Sequence, residues 1–141
     1  MKINIGFLGN QIAPGGGSAS LLLMIKSLDK AKYNVFVLSS DCANNKVRDQ
    51  FQSVCQSVEV DKRLKQFVSC AGHPPKLWEY YKAIISRKKQ VGIIQNFIAK
   101  NKIKILHINN AVFSHLYPFI NVGFKIKIVS HIREQVHLYN R

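Results

Sequence analysis

Short runs of β-branched and aliphatic residues, each closed by a turn-forming residue and separated by stretches of helical periodicity, constrain this chain more than any other feature. The first, Ile3 to Leu8, is uncharged and ends at Gly9. Asn10 to Gly17 then reads as a loop holding Pro14 and the glycines Gly15, Gly16 and Gly17. Leu21, Ile25 and Leu28 share one face of the helical stretch that follows, with Ser18 or Ser20 as its N-cap. Val35 to Leu38 is the second run, bounded by Asn34 and by Ser39-Ser40-Asp41. The pattern is strand, loop, helix, strand.

The same alternation continues. Asn44 to Ser57 reads as a short helix carrying Val47, Phe51 and Val54 on one face, and Val58 to Val60 as a third, short strand. After a loop at Gly72-His73-Pro74-Pro75, Lys76 to Asn101 has helical period. Leu77, Tyr81, Ile84, Ile85, Val91, Ile94 and Ile98 are expected on its inner face, and Gly92 is expected to kink or break it. Lys82, Arg87, Lys88, Lys89 and Lys100 occupy the other face. Ile103 to Ile108 is a fourth strand, Asn109 to Gly123 a loop with a short helix, and Lys125 to Ile132 a fifth strand. Near-continuous Val/Ile/Leu strands alternating with helices describe a parallel sheet covered on both faces. The expected class is α/β: one Rossmann-like domain over residues 1–141, with about five parallel strands and helices on both sides of the sheet.

Composition agrees with a single core. The chain has 141 residues, 47% of them hydrophobic, which excludes collagen-like and intrinsically disordered readings. Its three cysteines, Cys42, Cys55 and Cys70, form no C-x-x-C pair, and their odd number fits a reducing compartment rather than a disulfide framework or a structural zinc site. The first residues are interrupted by Asn4, Asn10 and Gln11 before any signal-peptide core is long enough, and no apolar run approaches the roughly 18 residues a bilayer crossing needs. A cytoplasmic chain is expected, with a peripheral seat at the inner face of a membrane as one option.

Charge is the unusual quantity. Twenty-one basic against seven acidic residues give +14, a field that draws nucleic acid, anionic lipid or a phosphate-bearing substrate. Arg87, Lys88 and Lys89, downstream of Trp78, Tyr80 and Tyr81, form an anionic-membrane contact, a nucleic-acid contact or a solvated helix face. Neither RNP aromatics nor a helix-turn-helix pattern supports sequence-specific nucleic-acid binding. The G-x-S-x-G elbow and a Ser-His-Asp arrangement are also lacking.

In a parallel sheet of this kind, ligands bind beyond the carboxyl ends of the strands. After the first strand, Gly15, Gly16, Gly17 and Ser18 open a helix, where close backbone approach and free N–H groups favour an anion such as phosphate. The alternative is a turn that only caps the helix. Gly15, Gly17 and Ser20 have the spacing of the dinucleotide fingerprint, with Asp41 placed to take a ribose hydroxyl. The pattern departs from that fingerprint in having Ser20 as third member and a loop from Asn10 to Pro14 before the glycines. Asn109 and Asn110 follow the fourth strand, which ends with His107 near its tip; Arg133 and Glu134 follow the fifth, with His131 at its end. Imidazole, amide and guanidinium groups gathered on one rim suit hydroxyls and phosphates, and they equally suit bonds to loop backbone.

The segments MKINIGFLGN, APGGGSASLLLMIKSL, YNVFVLSSD, IKILHINN and KIVSHIRE together resemble the N-terminal, acceptor-side half of GT-B sugar-nucleotide glycosyltransferases of the group-one, retaining type. The resemblance implies a two-domain enzyme that moves a sugar from a nucleotide-sugar donor to a lipid-linked or cell-envelope glycan acceptor across the cleft between its halves. It implies that Gly16 and Gly17 approach the donor phosphates and that His131 faces the transferred sugar as the catalytic residue. Many relatives place an acidic residue directly after that histidine, where this chain has Ile132-Arg133-Glu134. The nucleotide sugar is a substrate, so neither cofactor nor metal is expected. The donor half, with its Arg/Lys pair and spaced glutamates, is missing from these 141 residues. The expectation is therefore a truncated domain, inactive alone or completed by another chain. A non-catalytic nucleotide-binding Rossmann module and a basic membrane or nucleic-acid interaction protein are the other two function classes.

Overall fold

Side-by-side pairing of the apolar runs builds a five-stranded, wholly parallel sheet. The computed structural model describes residues 2–64, 77–109, 113 and 116–131. In chain order the elements are β1 (Ile3–Ile12), α1 (Gly16–Ser27), β2 (Tyr33–Cys42), α2 (Asn45–Gln52), β3 (Ser57–Val60), α3 (Leu77–Lys100), β4 (Ile105–Ile108), α4 (Tyr117–Ile120) and β5 (Lys127–Ser130). The strands stand in the order β3-β2-β1-β4-β5. β1 is central, with Ile5 opposite Val35 on one side and Ile105 on the other. Strand order reverses between β1 and β4, which makes the carboxyl ends of these two strands the switch point where such sheets bind ligands.

Alternation along β1 divides the core into two layers. Ile5 and Phe7 pack with Leu21, Leu22 and Ile25 of α1 and Phe51 of α2. Leu8 packs on the opposite face, with Ile94, Phe97 and Ile98 of α3 and Ile120 of α4. Gly6 shares that second face. A Cβ there would lie 2.8 Å from Phe97 Cε1 and 3.3 Å from Ile103, so the glycine is what lets the Phe97 ring close on the central strand. Lys102 N–H donates to Ala99 O and Ile103 N–H to Ile98 O, with Lys102 at φ 50°. These bonds end α3 in a left-handed turn and send the chain into β4.

Several elements differ from the sequence expectation. β1 and β2 run to Ile12 and Cys42, past the predicted ends at Leu8 and Leu38. Ladder pairing continues through Gln11 and Asp41, whose side chains also meet (Nε2 to Oδ2, 3.3 Å), so the neighbouring strand and not apolar content decides where β1 stops. Asp41 consequently belongs to β2 rather than to a following turn. α1 starts at Gly16 with Gly15 as its N-cap, not at Ser18 or Ser20. α3 passes Gly92 without a break. Its inner face begins late: Val91, Ile94 and Ile98 are buried, whereas Leu77, Tyr81, Ile84 and Ile85 are exposed, because the packed core supports only the helix from Gln90 onward. The expected loop at Gly72-His73-Pro74-Pro75 lies outside the described residues, as does Cys70.

Gly6→Val is expected to lower unfolding stability by roughly 1–3 kcal/mol, the usual cost of overpacking a filled core. Urea denaturation checks this, and an unchanged midpoint would contradict the close approach of Phe97.

Candidate functional site

The polar residues of the carboxyl rim meet in a cleft of about 340 Å³ over the tips of β1, β2 and β4. Gly9 of β1, Val37 and Ser39 of β2 and Asn109 just after β4 line it from the sheet. Ala13, Pro14, Gly15, Gly17, Ser18 and Leu21 line it from the turn and α1, and Phe51 from α2. Because β1 reaches Ile12, only Ala13, Pro14 and Gly15 separate strand from helix. The long loop that argued against a phosphate turn is therefore absent.

Gly15 makes the turn, at φ 153° and ψ 168°, a region that essentially only glycine occupies, and its carbonyl accepts the first helical bond from Ala19 N–H at 3.0 Å. Ser18 does not cap the helix. Its Oγ accepts from Ala13 N–H and donates to Gln11 O, both at 3.3 Å, which ties the first turn of α1 to the strand tip. The start of α1 has no side-chain cap and no acidic residue in its first turn. Its leading N–H groups and the positive end of its dipole are thus left to an anion. Among the described residues, every side chain that lines the cleft is uncharged.

Asn109 supplies a different kind of group. It is 7% exposed, its N–H donates to Leu8 O at 3.1 Å, and its side-chain Oδ1 is buried without a hydrogen-bond partner. A buried acceptor in that state costs about 1–3 kcal/mol relative to a satisfied one. It favours a ligand that brings a hydroxyl or N–H.

The cleft thus unites Gly15, Gly17, Ser18 and Asn109 of the predicted set. Gly16 is exposed and outside the lining. His107 near the tip of β4 and His131 just after β5 form a neighbouring cluster: their rings meet edge-on at 6.0 Å, His107 lies 5.0 Å from the Phe7 ring, and His131 N–H donates to Ile108 O at 2.8 Å. Neither lines the cleft. Asn110, Arg133 and Glu134 fall outside the described residues. Asp41 accepts from Gln11 Nε2 and from Cys42 N–H and is also absent from the lining. Arg87 has its guanidinium 4.2 Å over the Phe119 ring, so the basic run is only partly solvated; Lys88 and Lys89 are exposed.

Burial pushes the Cys55 thiol up to about 11, against the opposing pull of Lys30, so it stays protonated at neutral pH and is no nucleophile. Among the described residues no three His, Cys, Asp or Glu side chains gather as metal ligands, and no helix is long and apolar enough to cross a membrane. Gly9, Gln11 and Ser39 are cleft residues that sequence reasoning missed. The available signal was the alternation Phe7, Gly9, Gln11 on β1 and Val37, Ser39 on β2, had those strands been carried past Leu8 and Leu38.

These features define a Rossmann-like α/β domain with a glycine-turn cleft at its switch point. No protein-family model matches the chain, and no curated protein matches it. Among solved structures, a mutant O-GlcNAc transferase of Thermobaculum terrenum aligns with 75% of this chain at 13% identity and a TM-score of 0.49. This chain covers 16% of that transferase.

Gly15→Ala is expected to lower stability by about 1–3 kcal/mol, since alanine is strained at that backbone conformation. Gly16→Ala, whose Cβ would meet nothing within 4 Å, is expected to leave stability unchanged or raise it by up to about 1 kcal/mol. Thermal denaturation of the two variants side by side is the check, and equal melting would refute the assigned turn.

Proposed function

We propose that this chain is the acceptor-side, N-terminal half of a GT-B sugar-nucleotide glycosyltransferase of the retaining, group-one type. The observation that carries this reading is the shared cleft: an uncapped helix start on a glycine turn and Asn109, whose buried carboxamide oxygen has no hydrogen-bond partner, line the same space. The helix start suits phosphate oxygens, and Asn109 Oδ1 suits a hydroxyl carried by the same ligand. A phosphorylated or nucleotide-linked sugar offers both. The sequence resemblance supplies the reaction class.

In this reading Gly15 and Gly17 admit the donor diphosphate to the backbone and Asn109 orients a sugar hydroxyl. His131 faces the transferred sugar from the adjacent histidine cluster, and Asn110, Arg133 and Glu134 are further donor- or acceptor-binding residues. Glycosyl transfer needs strong stabilisation of the departing diphosphate and of an oxocarbenium-like centre. Among the described residues, the cleft lining has no cationic side chain to offer. A second half, on the same polypeptide or another, is therefore part of the proposal, and the 141-residue chain alone is expected to turn over little or no donor. The acceptor class is a lipid-linked or cell-envelope glycan. A dinucleotide-binding module would use Asp41 on a ribose, but Asp41 does not line the cleft.

Calorimetric titration of the chain with nucleoside diphosphate sugars tests this. Saturable binding is expected, weakened at least tenfold by Gly17→Val, which fills the cleft without meeting any neighbour within 4 Å of its Cβ. Asn109→Ala should cost about five- to a hundredfold, the loss of one buried hydrogen bond. Parental affinity in both variants, with unchanged melting, would overturn the reading.

A further inference from the structure

The first turns of α3 carry an apolar face that stands largely in the open and belongs to neither core layer. Leu77 is 89% exposed, Trp78 60%, Tyr81 55%, Ile84 60% and Ile85 62%. At 3.6 residues per turn these five fall within an arc of roughly 120°, whose edge is continued further along the helix by the buried Val91 and Ile98, so the apolar face outruns the core that covers it. The stripe is about 13 Å long. Isolated exposed apolar side chains are ordinary, but five together on one helix face mark a contact surface.

What surrounds the stripe names the occupant. Trp78 and Tyr81 stack at 5.7 Å, and the Lys82 ammonium stands 5.2 Å over the Trp78 ring. Lys88 and Lys89 follow at the end of the stripe, both exposed. Across α3 the sequence has five basic residues and a single acidic one, Glu79, on a chain whose net charge is +14. Aromatic rings with one apolar and one polar side settle at a bilayer's headgroup boundary, and each nearby lysine gains from anionic lipid. Reversible membrane attachment needs two such signals together, apolar insertion and basic charge, and this segment carries both.

We propose that the N-terminal half of α3 docks on an anionic lipid bilayer. Trp78, Tyr81, Ile84 and Ile85 enter the headgroup boundary while Lys82, Lys88 and Lys89 meet lipid phosphates. The inference rests on this helix face alone and is independent of the sugar-transfer reading.

Trp78 is the sole tryptophan of the chain and so reports directly. The full chain is mixed with vesicles of phosphatidylcholine alone, and with vesicles in which roughly one-third is phosphatidylglycerol. With the anionic vesicles, Trp78 emission is expected to move to the blue and to become shielded from an aqueous quencher, with much less change on phosphatidylcholine. Lys88→Ala and Lys89→Ala should each weaken binding roughly fivefold. Ile84→Ser combined with Ile85→Ser should weaken it at least tenfold, the cost of withdrawing two apolar side chains. All four positions are exposed, and circular dichroism confirms that the variants fold. Unmoved emission on anionic vesicles at low ionic strength overturns the proposal. Vesicle binding that keeps its full strength in the double isoleucine variant does the same, because it shows adsorption by charge alone. A blue shift that grows with protein concentration in the absence of lipid assigns the face to a second copy of the chain, and likewise overturns it.

Discussion

β1 is hydrogen-bonded along both edges and buried on both faces, and the position of the site follows from that double constraint. A one-residue slip of its register would send Ile5 and Phe7 toward α3 and Leu8 toward α1, emptying both core layers at once. The register is therefore fixed, and with it the height at which β1 ends relative to β2 and β4. That height places the Gly15 turn over the rim, with Gly9 beneath and Asn109 alongside. Phe97 adds to the constraint from the α3 side, since its ring fits only where Gly6 offers no side chain.

Asparagines occur at both ends of the sheet and behave differently. At the amino end Asn4 Nδ2 donates to Asn101 O at 2.7 Å, Asn34 Nδ2 donates to Asn4 Oδ1 at 3.0 Å, and Asn101 Nδ2 donates to Glu59 Oε1 and Phe97 O. This chain of amides clasps the end of α3 to β1 and β2. It is a structural use of the residue. At the carboxyl end the Asn109 amide oxygen is buried and has no such clasp. One residue type thus serves packing where its bonds close internally, and suits recognition where a bond is left to be made with something else.

The strand count, the helices on both faces and the parallel sense were legible in the sequence because two-sided burial writes each strand as an unbroken apolar run. Strand length was not. Asn10-Gln11 and Ser39-Ser40-Asp41 are polar, turn-forming residues, and only ladder pairing between two long neighbours keeps them extended. Position beyond a strand pointed to Asn109, but could not separate it from His107, because the direction a side chain takes at a strand tip depends on the neighbouring strand and helix. The error on α3 had another cause. Periodicity shows that a helix has an apolar face, and the depth of the layer beneath it decides how much of that face is covered. Leu77 to Ile85 continue the pattern past the point where the core gives out.

Strand polarity relates the two surfaces that the structure leaves open. A helix that connects parallel strands runs antiparallel to them, so α3 begins at the carboxyl rim of the sheet and ends at the amino rim, where the asparagine clasp holds it. Its exposed first turns therefore lie toward the rim that holds the glycine-turn cleft, although the two occupy opposite faces of the sheet. A planar surface that engaged Trp78 and Ile85 would meet the domain at that rim and not at its base. The cleft would then open near the boundary between water and lipid, within reach of a substrate whose polar head lies in that layer. The geometry makes this a consequence of topology: in a parallel sheet, the end that binds ligands and the end from which the crossover helix departs are the same.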